Sequence, residues 1–244
     1  MESTGKKLGF TNVKGHKIIT KCAGMGGNSS SIAAKKAQSV PKKPKTGIFE
    51  AKAVIPSTIF KKCYDRGDLP IVVDFIGAHR KIAWKVEVDL LDYHHYLPIF
   101  FHGLRETEDP YKFLADQGLN ALIQFGKEKI LPVLPQLIIP IKEALSTKNH
   151  EIVVKTLRKL QALVKVSEAV AESLVPYYRQ ILPIFNLLRH RNTNLGDKID
   201  YGQRKGDNVG DLIQETLEQF EKHGGEDAYI NIKYMIPTYE SCMF

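Results

Sequence analysis

The first 62 of the 244 residues contain no arginine. They hold 13 lysines against only Glu2 and Glu50, a net +11, while the other 182 residues hold 22 basic and 25 acidic groups, a net −3. Arginine is the side chain that grips phosphate and guanine bidentately. The lysine clusters also lack interleaved aromatics on which bases could stack. Nucleic acid is therefore a poor match for this charge. A membrane is a poor match too, because there is no basic amphipathic helix, and Glu2 excludes N-terminal myristoylation.

Cysteine is scarce. Cys22, Cys63 and Cys242 are far apart and odd in number, so no disulfide framework or zinc spacing can be read, and reduced thiols are expected. No apolar run near residue 1 has the form of a signal peptide. The most apolar stretch, 130–141, is too short to span a bilayer and carries Pro132, Pro135 and Pro140, each of which starts or bends a helix. A soluble intracellular chain is expected.

Catalytic motifs are lacking as well. Gly24-Met25-Gly26-Gly27 has no strand before it and no helix start after it. Gly126-Lys127 lacks the upstream glycine spacing and the following Ser or Thr of a phosphate loop. No Gly-x-Ser-x-Gly and no His-Glu-x-x-His occur. No enzymatic activity, cofactor or metal is expected.

What is present is a repeat. Leu97-Pro98-Ile99-Phe100 recurs as Leu182-Pro183-Ile184-Phe185, with Ile139-Pro140-Ile141 almost midway, so the three prolines are 42 and 43 residues apart. A period in the forties is the mark of stacked helical hairpins of the armadillo and HEAT kind, in which neighbours share one elongated core. The expected fold is all-α: an armadillo/HEAT-like helical solenoid over 57–244 with a small β-hairpin at about 69–88. Residues 1–56, rich in Gly, Ser and Lys and poor in large apolar side chains, read as a disordered basic arm that orders on a partner.

Local signals divide the domain. A first helix is expected from Ser57 as N-cap to Gly67. Runs at 69–76 and 82–88 read as strands around a Gly77-Ala78-His79-Arg80 turn, with Ile82, Trp84, Val86 and Val88 alternating against polar neighbours. Asp109-Pro110 reads as a helix start and Gly118 as its stop. Asn149 caps an amphipathic helix, Ser167 starts a short one, and Pro176 falls near the start of a longer one. A polar loop is expected over 192–208, followed by a helix from 208 to 222 ending at Gly224-Gly225. Residues 227–236 read as a further helix.

Three clusters invite a functional reading. Asp92-Tyr93-His94-His95 reads as a capped helix start rather than a metal site, because adjacent histidines point about 100° apart on a helix. Trp84, the only tryptophan, suits either core packing or a partner-binding aromatic flanked by Lys81 and Lys85. Tyr177-Tyr178-Arg179 reads as packing between helices. The arm, with Lys35, Lys36, Lys42, Lys43 and Lys45, reads as either a solubilising tail or an electrostatic tether for an acidic polymer, and for the tether a protein polymer survives the exclusions best.

Residues 81–87, Lys-Ile-Ala-Trp-Lys-Val-Glu, and 91–98, Leu-Asp-Tyr-His-His-Tyr-Leu-Pro, resemble the Parkin co-regulated protein family. So do the stretches 129–142, 174–183 and 210–242, and the likeness covers about 57–244. It implies an armadillo-like protein of cilia and flagella. Such a protein would be a microtubule inner protein at the inner junction of the axonemal doublet, closing the B-tubule onto the A-tubule beside a β-sandwich junction protein. It also implies that the basic arm lies against the α/β-tubulin lattice, and that a small adaptor protein can dock at the hairpin, where Lys81 and Trp84 match. The alternative is a soluble adaptor that uses the Trp84 hairpin and the solenoid face in cilium or flagellum assembly.

Overall fold

A computed structural model of the chain describes residue 47 and residues 50–52, 56–76, 79–189 and 208–243. Helix α1 (Ile59–Arg66) is capped by Thr58, one residue later than Ser57, because the Thr58 hydroxyl accepts from the Lys61 amide. The same hydroxyl donates to Glu106 Oε1 at 2.6 Å and the Thr58 amide donates there at 3.1 Å, which anchors the helix start to the domain. The helix ends as expected at Gly67, which takes φ +80°.

Strands β1 (Ile71–Ile76) and β2 (His79–Trp84) pair antiparallel, with Ile71 opposite Trp84 and Ile76 opposite His79. The second strand therefore begins three residues before the expected position. Val86 and Val88 lie beyond it, since the chain turns into a short 3₁₀ segment at Val88–Leu90. Alternating hydrophobicity runs on past the last ladder bond, so period alone misplaces the strand.

Helices α2 (Tyr93–Gly103), α3 (Tyr111–Gly126), α4 (Leu134–Leu145), α5 (His150–Val166), α6 (Glu168–Leu174), α7 (Tyr178–Leu188), α8 (Val209–His223) and α9 (Glu226–Met235) follow. They stack in two rows. In one, α2 packs on α4, α4 on α7, and α7 on α9; in the other, α3 packs on α5 and α5 on α8. Pairs α2 with α3, α4 with α5, and α7 with α8 join the rows, and the short α6 packs on α5 and α8. This mostly helical architecture with one small hairpin is the expected one, and its layering is consistent with stacked repeats.

The repeat is right in kind and out of phase at its middle member. Leu97, Phe100, Leu182 and Phe185 are fully buried, with Pro98 half-buried and Pro183 exposed. Yet Ile139 is 61% exposed and Pro140 is buried. The counterpart in α4 is Leu134-Pro135, a buried leucine followed by an exposed proline.

Two other expectations fail locally. Asp109 does not cap α3, whose N-cap position is Pro110; its carboxylate instead lies 3.4 Å from Arg80 Nη1. Gly118 does not end α3. It sits inside the helix because the Phe100 ring needs the space a side chain would fill. Asn149 does cap α5, its side chain accepting from the Glu151 amide at 3.1 Å.

Candidate interaction surfaces

Side chains alternate across a strand, so Trp84 and Lys81 fall on opposite faces of the hairpin. Trp84 lies on the face of Ile71 and packs inward, its ring centroid 5.8 Å from that of Phe100. Lys81 lies on the outer face opposite Asp74, and Lys85, past the strand, donates its amide to the Pro70 carbonyl at 2.9 Å. The hairpin does not gather Lys81, Trp84 and Lys85 into one patch. Two apolar side chains of the hairpin are exposed, on opposite faces: Val72, 42% exposed, on the face of Lys81, and Phe75, 67% exposed, on the face of Trp84 near the turn. Phe75 pairs across the strands with Arg80, whose guanidinium lies 5.2 Å from the Phe113 ring. Beyond the hairpin, Val86 and Leu90 are also exposed, Leu90 at 74%.

Lys35, Lys36, Lys42, Lys43 and Lys45 lie outside the described residues, as does the 192–208 loop except for Asn208. Residue 52, inside the stretch read as arm, is tied to the domain: its amide donates to the Thr147 carbonyl at 3.0 Å.

Asp92 caps α2, its Oδ1 accepting from the His94 amide at 3.0 Å, while the His95 ring meets the Tyr96 ring edge-on at 5.0 Å. At the other end of α2, His102 Nδ1 lies 3.4 Å from Arg105 Nη2, and Arg105 bridges to Glu143 Oε2 at 3.1 Å. Burial lowers the His102 pKa first, Arg105 adds to that, and Glu143 opposes it. The imidazole is therefore held neutral between α2 and α4. Tyr178 stacks on Phe220 at 5.0 Å with burial raising its phenol pKa, whereas Arg179 is exposed. Both tyrosines of that cluster pack with the core, as the sequence suggested.

Sequence reasoning missed Glu221. It is 7% exposed, and its carboxylate accepts from Tyr239 Oη at 2.7 Å, the Cys242 amide at 2.9 Å, Cys242 Sγ at 3.1 Å and the Ser241 hydroxyl. Burial works against its charge, but these hydrogen bonds, the Cys242 amide foremost, outweigh it and hold the pKa at about 2. The result is a latch that ties residues 239–242 to α8. Its one sequence signal is phase: Glu221 follows Leu217 by four and so lies on the buried stripe of α8.

Residues 58–241 match the family model described as Parkin co-regulated protein. The chain is also 58% identical over 200 residues to the mouse Parkin coregulated gene protein homolog, covering 82% of this chain and 83% of that one.

Proposed function

Because the chain belongs to the Parkin co-regulated protein family, we propose that it is a structural microtubule-binding protein of the ciliary or flagellar axoneme. In this reading it sits at the inner junction, where the B-tubule closes onto the A-tubule. It holds the α/β-tubulin lattice on one side and a neighbouring junction protein on the other. Family membership across the helical domain carries the reading.

Two physical features support it. Stacked helix layers give a rigid, extended surface suited to holding other proteins. The net +11 on residues 1–62 complements an acidic polymer. Each exposed lysine contact is worth about 0.2–1 kcal/mol, so binding rests on many contacts repeated along the lattice.

The test is co-sedimentation with stabilised microtubules, comparing the full chain with a chain lacking residues 1–46. That cut leaves the Lys52–Thr147 hydrogen bond in place. The assay is run at low and physiological salt, because screening shortens from about 30 Å at 0.01 M to about 8 Å at 0.15 M. Pelleting of the full chain alone supports the tether. Absence of both chains from the pellet at every salt sinks direct lattice recognition.

The exposure of Phe75, near the turn of the hairpin, favours a second reading, in which a small adaptor protein docks there. Trp84, turned toward Phe100, would act there mainly by supporting the hairpin.

A further inference from the structure

We propose that the outer face of α9, together with the acidic cleft at its first turn, is a docking site for a helix of another protein. The occupant runs antiparallel to α9. It carries two apolar side chains one turn apart, followed by an arginine or lysine in its last turn. Ala228 and Ile232, both fully buried, form the inner side of α9, which packs on α7 and α8. Ile230 and Tyr234, 67% and 77% exposed, lie on the other side. The end of a helical stack needs a polar outer face to stay soluble. This end presents isoleucine and tyrosine instead, one turn apart with about 6 Å of rise. Tyrosine is also enriched among interface hot spots.

The apolar stripe runs directly into the cleft. Asp227 precedes Ile230 by three residues and so shares its face of α9, and Asp227 also lines the cleft. The cleft has a volume of about 350 Å³, and its walls include Glu172 of α6, Val175, Pro176, Gly225 and Glu226. Gly225 lets Glu172 approach the start of α9: a Cβ on residue 225 would stand 3.5 Å from Glu172 Oε1. Among the described residues, no lysine, arginine or histidine lines the cleft, and the carboxylates of Glu172, Glu226 and Asp227 make no ion pair. Nor do they converge as metal ligands would. A cleft walled by charge of one sign focuses its field on the opposite one. The complementary group is a basic side chain, with Val175 and Pro176 as apolar wall for its stem.

The occupant is a helix because α9 is the last member of its row, and a helix laid on it continues the stack. Its direction follows from charge. The basic residue must lie beside the N-terminal end of α9, and a cation is favoured in a helix's last turn, where unpaired carbonyls collect negative charge. Antiparallel packing brings those two ends together. The site uses neither the hairpin nor the lysines of the proposed tether, so it stands or falls independently of the tubulin reading.

The test uses the full chain and a labelled, alanine-rich helical peptide with two leucines one turn apart and an arginine in its last turn. Fluorescence anisotropy should show saturable binding. Ile230→Ser with Tyr234→Ser should weaken it about tenfold or more, while Phe75→Ser on the hairpin should leave it unchanged. Glutamate in place of the peptide's arginine should cost a similar factor, and Glu172→Lys with Asp227→Lys in the protein should reverse that preference. If lysine at position 227, in the first turn of α9, lowers the melting temperature, Glu172→Lys alone should shift the preference in the same direction. Equal binding by all variants, or no saturable binding, overturns the proposal. So does a concentration-dependent dimer that Tyr234→Ser abolishes, since a second copy is then the occupant. Binding seen only after residues 1–46 are removed overturns it too, because that basic segment then competes for the face.

Discussion

The Phe100 ring lies so close over Gly118 that a Cβ on residue 118 would come 2.2 Å from Phe100 Cε1. That ring is a junction in the core, 5.2 Å from Phe60 and 5.8 Å from Trp84. Gly118→Ala improves helix propensity by about 1 kcal/mol, yet forces the ring out of its place. Overpacking of this kind costs about 1–3 kcal/mol, so the net change should be a loss of stability. Urea unfolding should show a lower midpoint; a higher one would show that the ring moves freely.

At Gly67 the cause is conformation rather than space. Its φ is +80°, and no atom lies within 4 Å of the place a Cβ would take, so Gly67→Ala pays only for the left-handed backbone. A loss of about 1 kcal/mol is expected. Gly67→Asn should recover part of it, since asparagine tolerates this region better. Thermal melts of the three proteins would decide the order.

Acid should loosen the Glu221 latch. The folded pKa of about 2 lies below the ordinary 4.5, so the contribution is full above pH 4.5 and fades as pH falls toward 2. Glu221→Gln should lower stability at pH 7 and flatten the pH dependence across that window. Parallel pH profiles for the two proteins would count against the latch.

Hairpin variants should separate packing from recognition. Trp84→Ala removes a ring set against Phe100 and should cost about 2–3 kcal/mol. Lys81→Ala and Phe75→Ser, both at exposed positions, should stay within about 0.5 kcal/mol. Loss of an adaptor partner through Phe75→Ser, with the melting temperature unchanged, would support docking on the hairpin. Retained binding would move that contact elsewhere.

Much of the fold was legible because its punctuation is chemical. Asn149, Gly67 and Pro176 each mark a helix end close to where the backbone requires one, and Ser57 missed the true cap, Thr58, by one residue. Gly118 was misread because glycine can serve either as a stop or as space for a neighbour, and only Phe100, eighteen residues away in sequence, distinguishes the two. Pro140 kept the period of Pro98 and Pro183 but not their phase, since spacing in a sequence does not fix how a helix is rotated. At the candidate surfaces, alternation alone would have separated Lys81 from Trp84. The meeting of Glu172 and Asp227 at one cleft needs two helices brought together, which no local pattern encodes.

The two rows of helices also have a mechanical meaning. The hairpin rests on α3 and, through Trp84, on Phe100 of α2, and each layer of paired helices leans on the next, so a load applied at the hairpin reaches α8 and α9 through every layer between. Elements loaded in series share one force while their extensions add. Such a strut is as compliant as the sum of its boundaries and as strong as the weakest of them, whatever the stability of the rest.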